Sequence, residues 1–166
     1  MKQVSYNEYA AKVMEGLPQG AFLTTAHAGK INSMTIGWGS LGVMWRKPVF
    51  LVMVRPSRFT FELIEKSNEF TVSVPLHDMK QALSLCGTKS GREMDKLATA
   101  GLKAVPGQTI ATPVIAGCGL HYECKVIYKQ AMLPDALEKE LTQSCYPAGD
   151  HHTLYYGEIT ATYLDE

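Results

Sequence analysis

The sequence predicts a mainly β (α+β) domain, an antiparallel barrel with peripheral helices, and three observations carry that expectation. Short strand-like segments dominate, turn signals separate several of them, and helical segments fall between strands as connections rather than alternating strictly with them. A doubly wound parallel sheet would need that strict alternation. With 166 residues, 46% of them hydrophobic, the chain suits one domain spanning residues 1–166, with a core that needs no disulfide or metal staple.

The elements follow in order. Ser5 or Asn7 can cap a short helix whose Tyr9, Ala10, Val13, Met14 and Leu17 share one face, ended by Pro18 and Gly20. Ala21 to His27 reads as a strand, Ala28-Gly29 as a turn, and Ile31 to Trp38 as the hairpin partner. A loop rich in glycine (Gly37, Gly39, Gly42) leads to Pro48 and the run Val49 to Val54, apolar on both faces and therefore expected to be covered from both sides. Pro56-Ser57 opens a helix to about Lys66, with Phe59, Leu63 and Ile64 as its buried stripe. Phe70, Val72 and Val74 alternate with polar residues in a further strand, and His77 to Leu85 reads as a helix. Gly87 to Arg92 is a polar loop, Asp95 to Ala100 a helical turn, and Pro134 to Ser144 helical. Leu120 to Tyr128 and Thr153 to Tyr163 are clear strands, whereas the prolines within Ala104 to Val114 confine any strand there to short pieces or edges.

Charge and cysteine usage exclude several function classes. Sixteen basic residues balance sixteen acidic ones, with no basic run, so nucleic acid is not an expected partner. The N-terminus lacks the apolar centre of a signal peptide, and no segment approaches the roughly 20 apolar residues of a membrane span; the expected compartment is the cytoplasm. The four cysteines include no Cys-x-x-Cys pair, which argues against zinc ribbons and thioredoxin-like sites. Cys124 alternates with Tyr122 and Val126 as a small core residue, while Cys86, beside Gly87, is either buried or a reactive thiol near a cofactor. No metal site is expected, because the adjacent His151 and His152 lack further ligands at suitable spacing, and no Ser–His–Asp order or His-Glu-x-x-His helix appears.

Three segments suit a flat aromatic ligand carrying a phosphate. Ser57 can cap the free N–H groups of the helix it precedes, and Arg55, Arg58 and Thr60 add charge and hydroxyls where the helix dipole attracts anions. In Gly87-Thr-Lys-Ser-Gly-Arg92 the lysine does not follow a glycine, so the nucleotide P-loop is rejected. The loop still offers cations, hydroxyls and glycines around a phosphate, with Lys89 and Ser90 as ligands and Arg92 as either a ligand or an ion-pair partner of Asp95. Finally, Asn32 to Ser40 alternates small polar with bulky apolar side chains. Asn32, Met34, Ile36 and Trp38 share one strand face, Ser33, Thr35 and Gly37 the other, and glycine-loop amides can approach a polar ring edge.

These motifs, Asn-x-Met-Thr-x-x-Trp (Asn32 to Trp38), Arg55 to Ile64, Ser90-Gly-Arg-x-x-Asp-Lys96, and the Gly149-Asp-His-His-Thr segment with Gly157, resemble in order the FMN-binding split-barrel proteins of the flavin reductase and flavoredoxin type. The resemblance implies a Greek-key, six-stranded split barrel. It implies FMN as cofactor, with Asn32, Met34, Thr35, Ile36, Gly37, Trp38 and Ser40 around the ring. Arg55, Ser57, Arg58, Thr60, Lys89, Ser90 and Gly91 would hold the phosphate and ribityl chain. His152, directly before Thr153, is the better match to the family histidine, although the extra His151 leaves the alignment ambiguous, with His121 a weaker candidate. His152 would orient the donor or protonate reduced flavin. The implied function is an oxidoreductase passing electrons through flavin, with NAD(P)H or a redox protein as partner and a homodimer as assembly. The alternative is a non-catalytic flavin- or haem-binding carrier or sensor on the same barrel.

Overall fold

The computed structural model describes residues 1–165. Ten strands run in chain order as β1 (Lys2–Gln3), β2 (Ala21–His27), β3 (Lys30–Ile36), β4 (Gly39–Met44), β5 (Lys47–Val54), β6 (Glu69–Pro75), β7 (Ala104–Val105), β8 (Val114–Ile115), β9 (Gly119–Ala131) and β10 (Thr153–Leu164). The α-helices are α1 (Ala10–Gly16), α2 (Phe59–Ser67), α3 (Lys80–Thr88), α4 (Lys96–Thr99) and α5 (Lys139–Cys145). The main sheet is antiparallel in the order β3-β2-β6-β9-β10-β5-β4, with β1 added to β10. Its two edge strands, β3 and β4, are separated in sequence only by Gly37 and Trp38. The sheet therefore curls until its edges meet at that dipeptide, a barrel left split on one side.

Two tight hairpins set the registers. Ala28 and Gly29 adopt φ of 48° and 77°, the left-handed pair that matches strand twist, and join β2 to β3. Trp45 and Arg46, at 52° and 61°, join β4 to β5. The sequence reads Gly39 and Gly42 as loop, whereas both lie in the edge strand β4. Pairing with β5 overrides glycine's weak strand preference, and at Gly39 a Cβ would lie 2.8 Å from the Leu51 carbonyl oxygen.

The barrel core is built from alternate residues of the strands: Leu23, Phe50, Val52, Val54, Phe70, Val72, Val74, Tyr122 and Tyr155 are fully enclosed or nearly so, and Ile64 closes it from α2. Each such side chain contributes about 1.5–3 kcal/mol by leaving water. Gly157 on β10 is required by this packing, since a Cβ there would lie 2.5 Å from the Phe70 ring and 2.7 Å from Cys124 Cβ. A second cluster, Phe22, Leu83, Cys86, Ile115 and Cys118, packs α3 on the outside of the sheet. The run Val49 to Val54 is not covered on both sides within the chain: Leu51 and Met53 on its outer face are only half-buried.

Several helix boundaries shift from expectation. In α1, Val13 is buried but Met14 is 67% exposed, and Ser5 and Asn7 bond each other rather than cap the helix. α3 starts at Lys80 and carries Gly87 and Thr88 in its last turn, so the polar loop is shorter than the sequence suggests. The helical stretch 134–144 breaks into a 3-10 turn at Pro134–Ala136 and α5. The segment between the short pair β7 and β8 is fastened by two carboxylates. Glu69 accepts from the Thr112 amide and hydroxyl. Glu123 accepts from the amides of Gln108 and Thr109 and the hydroxyls of Thr109 and Tyr163. Burial acts to raise the Glu123 pKa, but these donors outweigh it and hold the group below the ordinary carboxylate range.

Candidate functional site

The split edge of the barrel carries a cleft of two adjoining cavities. The first, about 190 Å³, lies between the end of β3 with Gly37-Trp38, Met53 at the end of β5 with Arg55 just after it, and His152. The second, about 370 Å³, lies between α2 and the loop after α3 and takes in Asn32, Ser57, Thr60, Lys89, Ser90 and Gly91. Met34, Thr35 and Arg58 line both. Of the site residues expected from sequence, all but Ser40 line one cavity or the other. Ser40 is exposed on β4 and lines neither, because that strand has already turned away to pair with β5.

The first end, beside Trp38 and His152, is tightly interlocked. Arg55 donates to the carbonyls of Cys145 (2.9 Å) and Asp150 (3.1 Å) and lies 4.7 Å above the Tyr146 ring. Asp150, at φ 56°, accepts the Ser57 hydroxyl at 2.6 Å. Ser57 therefore does not cap α2 as its position suggests; Arg58 occupies the N-cap, and no side chain caps the first N–H groups. His152 is nearly buried, its Nδ1 2.6 Å from the Tyr146 hydroxyl and its ring 5.4 Å from Trp38. Burial first, then the positive field of Arg55, pushes its pKa down to about 4, so the imidazole is neutral at physiological pH. His151 instead stacks on Tyr146, 4.6 Å between centroids. Trp38 lies beyond the last residue of β3 and is 48% exposed, so it walls the cleft rather than continuing the strand face of Asn32 and Met34.

The other end is cationic. Arg58 and Lys89 are exposed and form no ion pair among the described residues, and the uncapped start of α2 adds its free N–H groups. Lys96, buried, donates to the Cys86 carbonyl at 3.0 Å; burial lowers its pKa, as burial raises that of the Cys86 thiol. Asn32 donates to Thr60 at 2.8 Å and fixes β3 to α2. A Cβ on Gly91 would lie 2.1 Å from Asn32 Oδ1, so only glycine lets this loop close over the strand. Arg92 pairs with Glu62, not Asp95, and donates to the Ser57 carbonyl; Asp95 caps α4 by accepting from the Ala98 amide. A wider groove of about 910 Å³ adjoins at Arg92 and Lys96, but its charges are largely engaged in these contacts.

His121 is removed from the cleft. It is fully buried between Ser73 (3.0 Å) and Asp165 (3.0 Å), with His27 and His77 exposed elsewhere. The sequence missed Met53, a half-buried outer residue of β5 that strand alternation could have supplied, and Tyr146, for which no local pattern gives a signal.

An end walled by Met34, Ile36, Trp38 and the neutral His152 ring, joined through Arg58 to a cationic, hydroxyl-bearing end, can hold a flat heteroaromatic ring and its phosphate. Comparisons with known proteins place the chain in a family. The model of the flavin reductase like domain matches residues 14–166. An uncharacterized protein of Pyrococcus abyssi is 30% identical over 148 residues, covering 87% of this chain and 73% of that one. Flavoredoxin from Methanosarcina acetivorans superposes with a TM-score of 0.70 at 27% identity, over 89% of this chain and 68% of that one. The FMN-binding domain of a flavin reductases-like enzyme from Shewanella baltica has a TM-score of 0.72 at 19% identity, over 99% and 79%, and shares the fold.

Proposed function

From the premise that this chain belongs to the flavin reductase like domain family, whose members tie it to flavin-related redox function, we propose that it is an oxidoreductase that binds FMN in the cleft and passes electrons through it. The observation that carries the reading is the junction at Met34, Thr35 and Arg58 of a cavity walled by Ile36, Trp38 and His152 with a second one lined by Lys89, Ser90 and the start of α2. The residues present fit the cofactor: Arg58, Lys89, Ser90 and the free N–H groups of α2 would hold the phosphate, while Met34, Ile36, Gly37 and Trp38 would border the ring. Bound flavin supplies the electron-carrying chemistry. The chain's own residues bind and orient. His152, being neutral, positions a partner by a hydrogen bond rather than delivering a proton from an imidazolium. Its place beside Trp38 at the cleft is where a nicotinamide or the exposed group of a redox protein would approach.

A homodimer is part of the proposal. Trp45, 58% exposed, packs against Tyr128 and Tyr156 at 5.8 and 5.9 Å, and with Met44 and half-buried Leu51, which the strand register puts on the same outer face as Tyr156, forms an apolar face that a second copy would cover. The cysteines Cys86, Cys118, Cys124 and Cys145 are all free, which supports a reducing, cytoplasmic setting. Among the described residues no helix is long and apolar enough to cross a membrane.

The test is the visible spectrum of the purified protein, followed by NADH or NADPH without oxygen. Two flavin bands that bleach are expected. Bands indifferent to both nicotinamides would point to a protein donor or to a non-catalytic carrier, and a spectrum without flavin after incubation with FMN would overturn the assignment.

A further inference from the structure

We propose that Tyr146 is a positioning residue: its hydroxyl donates to Nδ1 of His152 and holds the imidazole in the tautomer with its proton on Nε2, aimed at the ligand in the cleft. The donor role toward a ligand rests on the flavin reading above; the tautomer does not.

Tyr146 follows α5 and is only 5% exposed. Arg55 over its ring and His151 stacked on it leave that ring little freedom. Its hydroxyl has one proton and two neighbours, His152 Nδ1 at 2.6 Å and Met132 Sδ at 3.4 Å. Two arrangements satisfy these contacts, the hydroxyl donating to an unprotonated Nδ1, or Nδ1–H donating to the hydroxyl while the hydroxyl donates to the thioether; the first uses the stronger acceptor and the shorter contact. A ring that accepts at Nδ1 and stays neutral carries its hydrogen on Nε2. That nitrogen lies on the opposite edge of the ring and has no hydrogen-bonding partner among the described residues, while the ring lines the cleft. Burial first, and then the guanidinium groups of Arg55 and Arg58 against the carboxylate of Asp150, leave it uncharged. His152 thus presents one fixed, uncharged donor, suited to a carbonyl oxygen or ring nitrogen of a flat heteroaromatic. It is not suited to an anionic group, which would favour an imidazolium.

The test is ¹⁵N NMR of histidine-labelled protein without flavin at pH 7, with His152 assigned by comparison with His152→Gln. A single neutral tautomer protonated at Nε2 is expected, and protonation at Nδ1 would overturn the proposal. Tyr146→Phe should give a mixture of tautomers, and Met132→Leu should leave the wild-type pattern. In flavin-loaded protein, Tyr146→Phe should slow flavin reduction roughly tenfold, the loss of one oriented hydrogen bond, with less than about threefold change in flavin Kd. An unchanged tautomer and rate in Tyr146→Phe would sink the idea. Should that variant not fold, the wild-type spectrum still decides. Failure to bind flavin would remove the functional reading and leave the tautomer standing.

Discussion

The two ends of the cleft are built on opposite principles. At the ring end the protein engages its own polar groups: Arg55 holds the 145–150 loop, Asp150 holds Ser57, and Tyr146 holds one edge of His152. At the phosphate end Arg58 and Lys89 are exposed and without ion-pair partners among the described residues. A pre-organised end fixes geometry and contributes to stability, while an end of unpartnered cations contributes affinity for an anion and little else. Substitutions at the two ends should therefore separate stability from binding.

The largest effect is expected at Arg55. Arg55→Ala removes two charge-assisted bonds to carbonyls and the cover over Tyr146, so urea unfolding should show a loss of about 2–3 kcal/mol. A loss below about 0.5 kcal/mol would mean that the interlock does not stabilise the fold. Next, Arg58→Ala or Lys89→Ala should each weaken FMN about tenfold, or ~1.4 kcal/mol, in a fluorescence titration. Riboflavin, which lacks the phosphate, should bind as before, and unfolding should stay within about 0.5 kcal/mol of wild type. Equal losses for both flavins would place the phosphate elsewhere.

The smallest effect is a pH dependence of stability. The folded-state pKa of His152, about 4, lies below its ordinary value near 6.5. Between these values the unfolded chain binds the proton and the folded one does not, so stability is undiminished above about pH 6.5 and falls as pH drops toward 4. Urea midpoints at pH 7 and 5 should differ less in His152→Gln than in wild type. Glu123, Glu65 and Asp165, all held below the ordinary carboxylate range by their donors, lose their contribution at lower pH still.

Much of this was legible in the sequence because it is local. Alternation marked β6 and β9, β2 and β10 read as strands, and Ala28-Gly29 marked the hairpin after β2. The resemblance over Asn32 to Trp38, Arg55 to Ile64 and Ser90 to Lys96 pointed to residues that do share one cleft. The misses are cooperative. β4 is a strand because β5 lies beside it, although its glycines disfavour one. Ser57 is drawn from its expected capping role by Asp150, and Arg92 finds Glu62 rather than the nearer Asp95.

The sequence by itself determined the strand periodicity, the hairpin turn, the antiparallel class and the kinds of side chain at each end of the site, since these depend on spacing along the chain. Only the tertiary structure decided which partners those side chains take. Arg55 meets Cys145 and Ser57 meets Asp150 across 90 and 93 residues of sequence. Hydrogen-bond and ion-pair choices are made within a few ångströms in space, and the closure of the split barrel, not the order of the residues, brings those groups within reach.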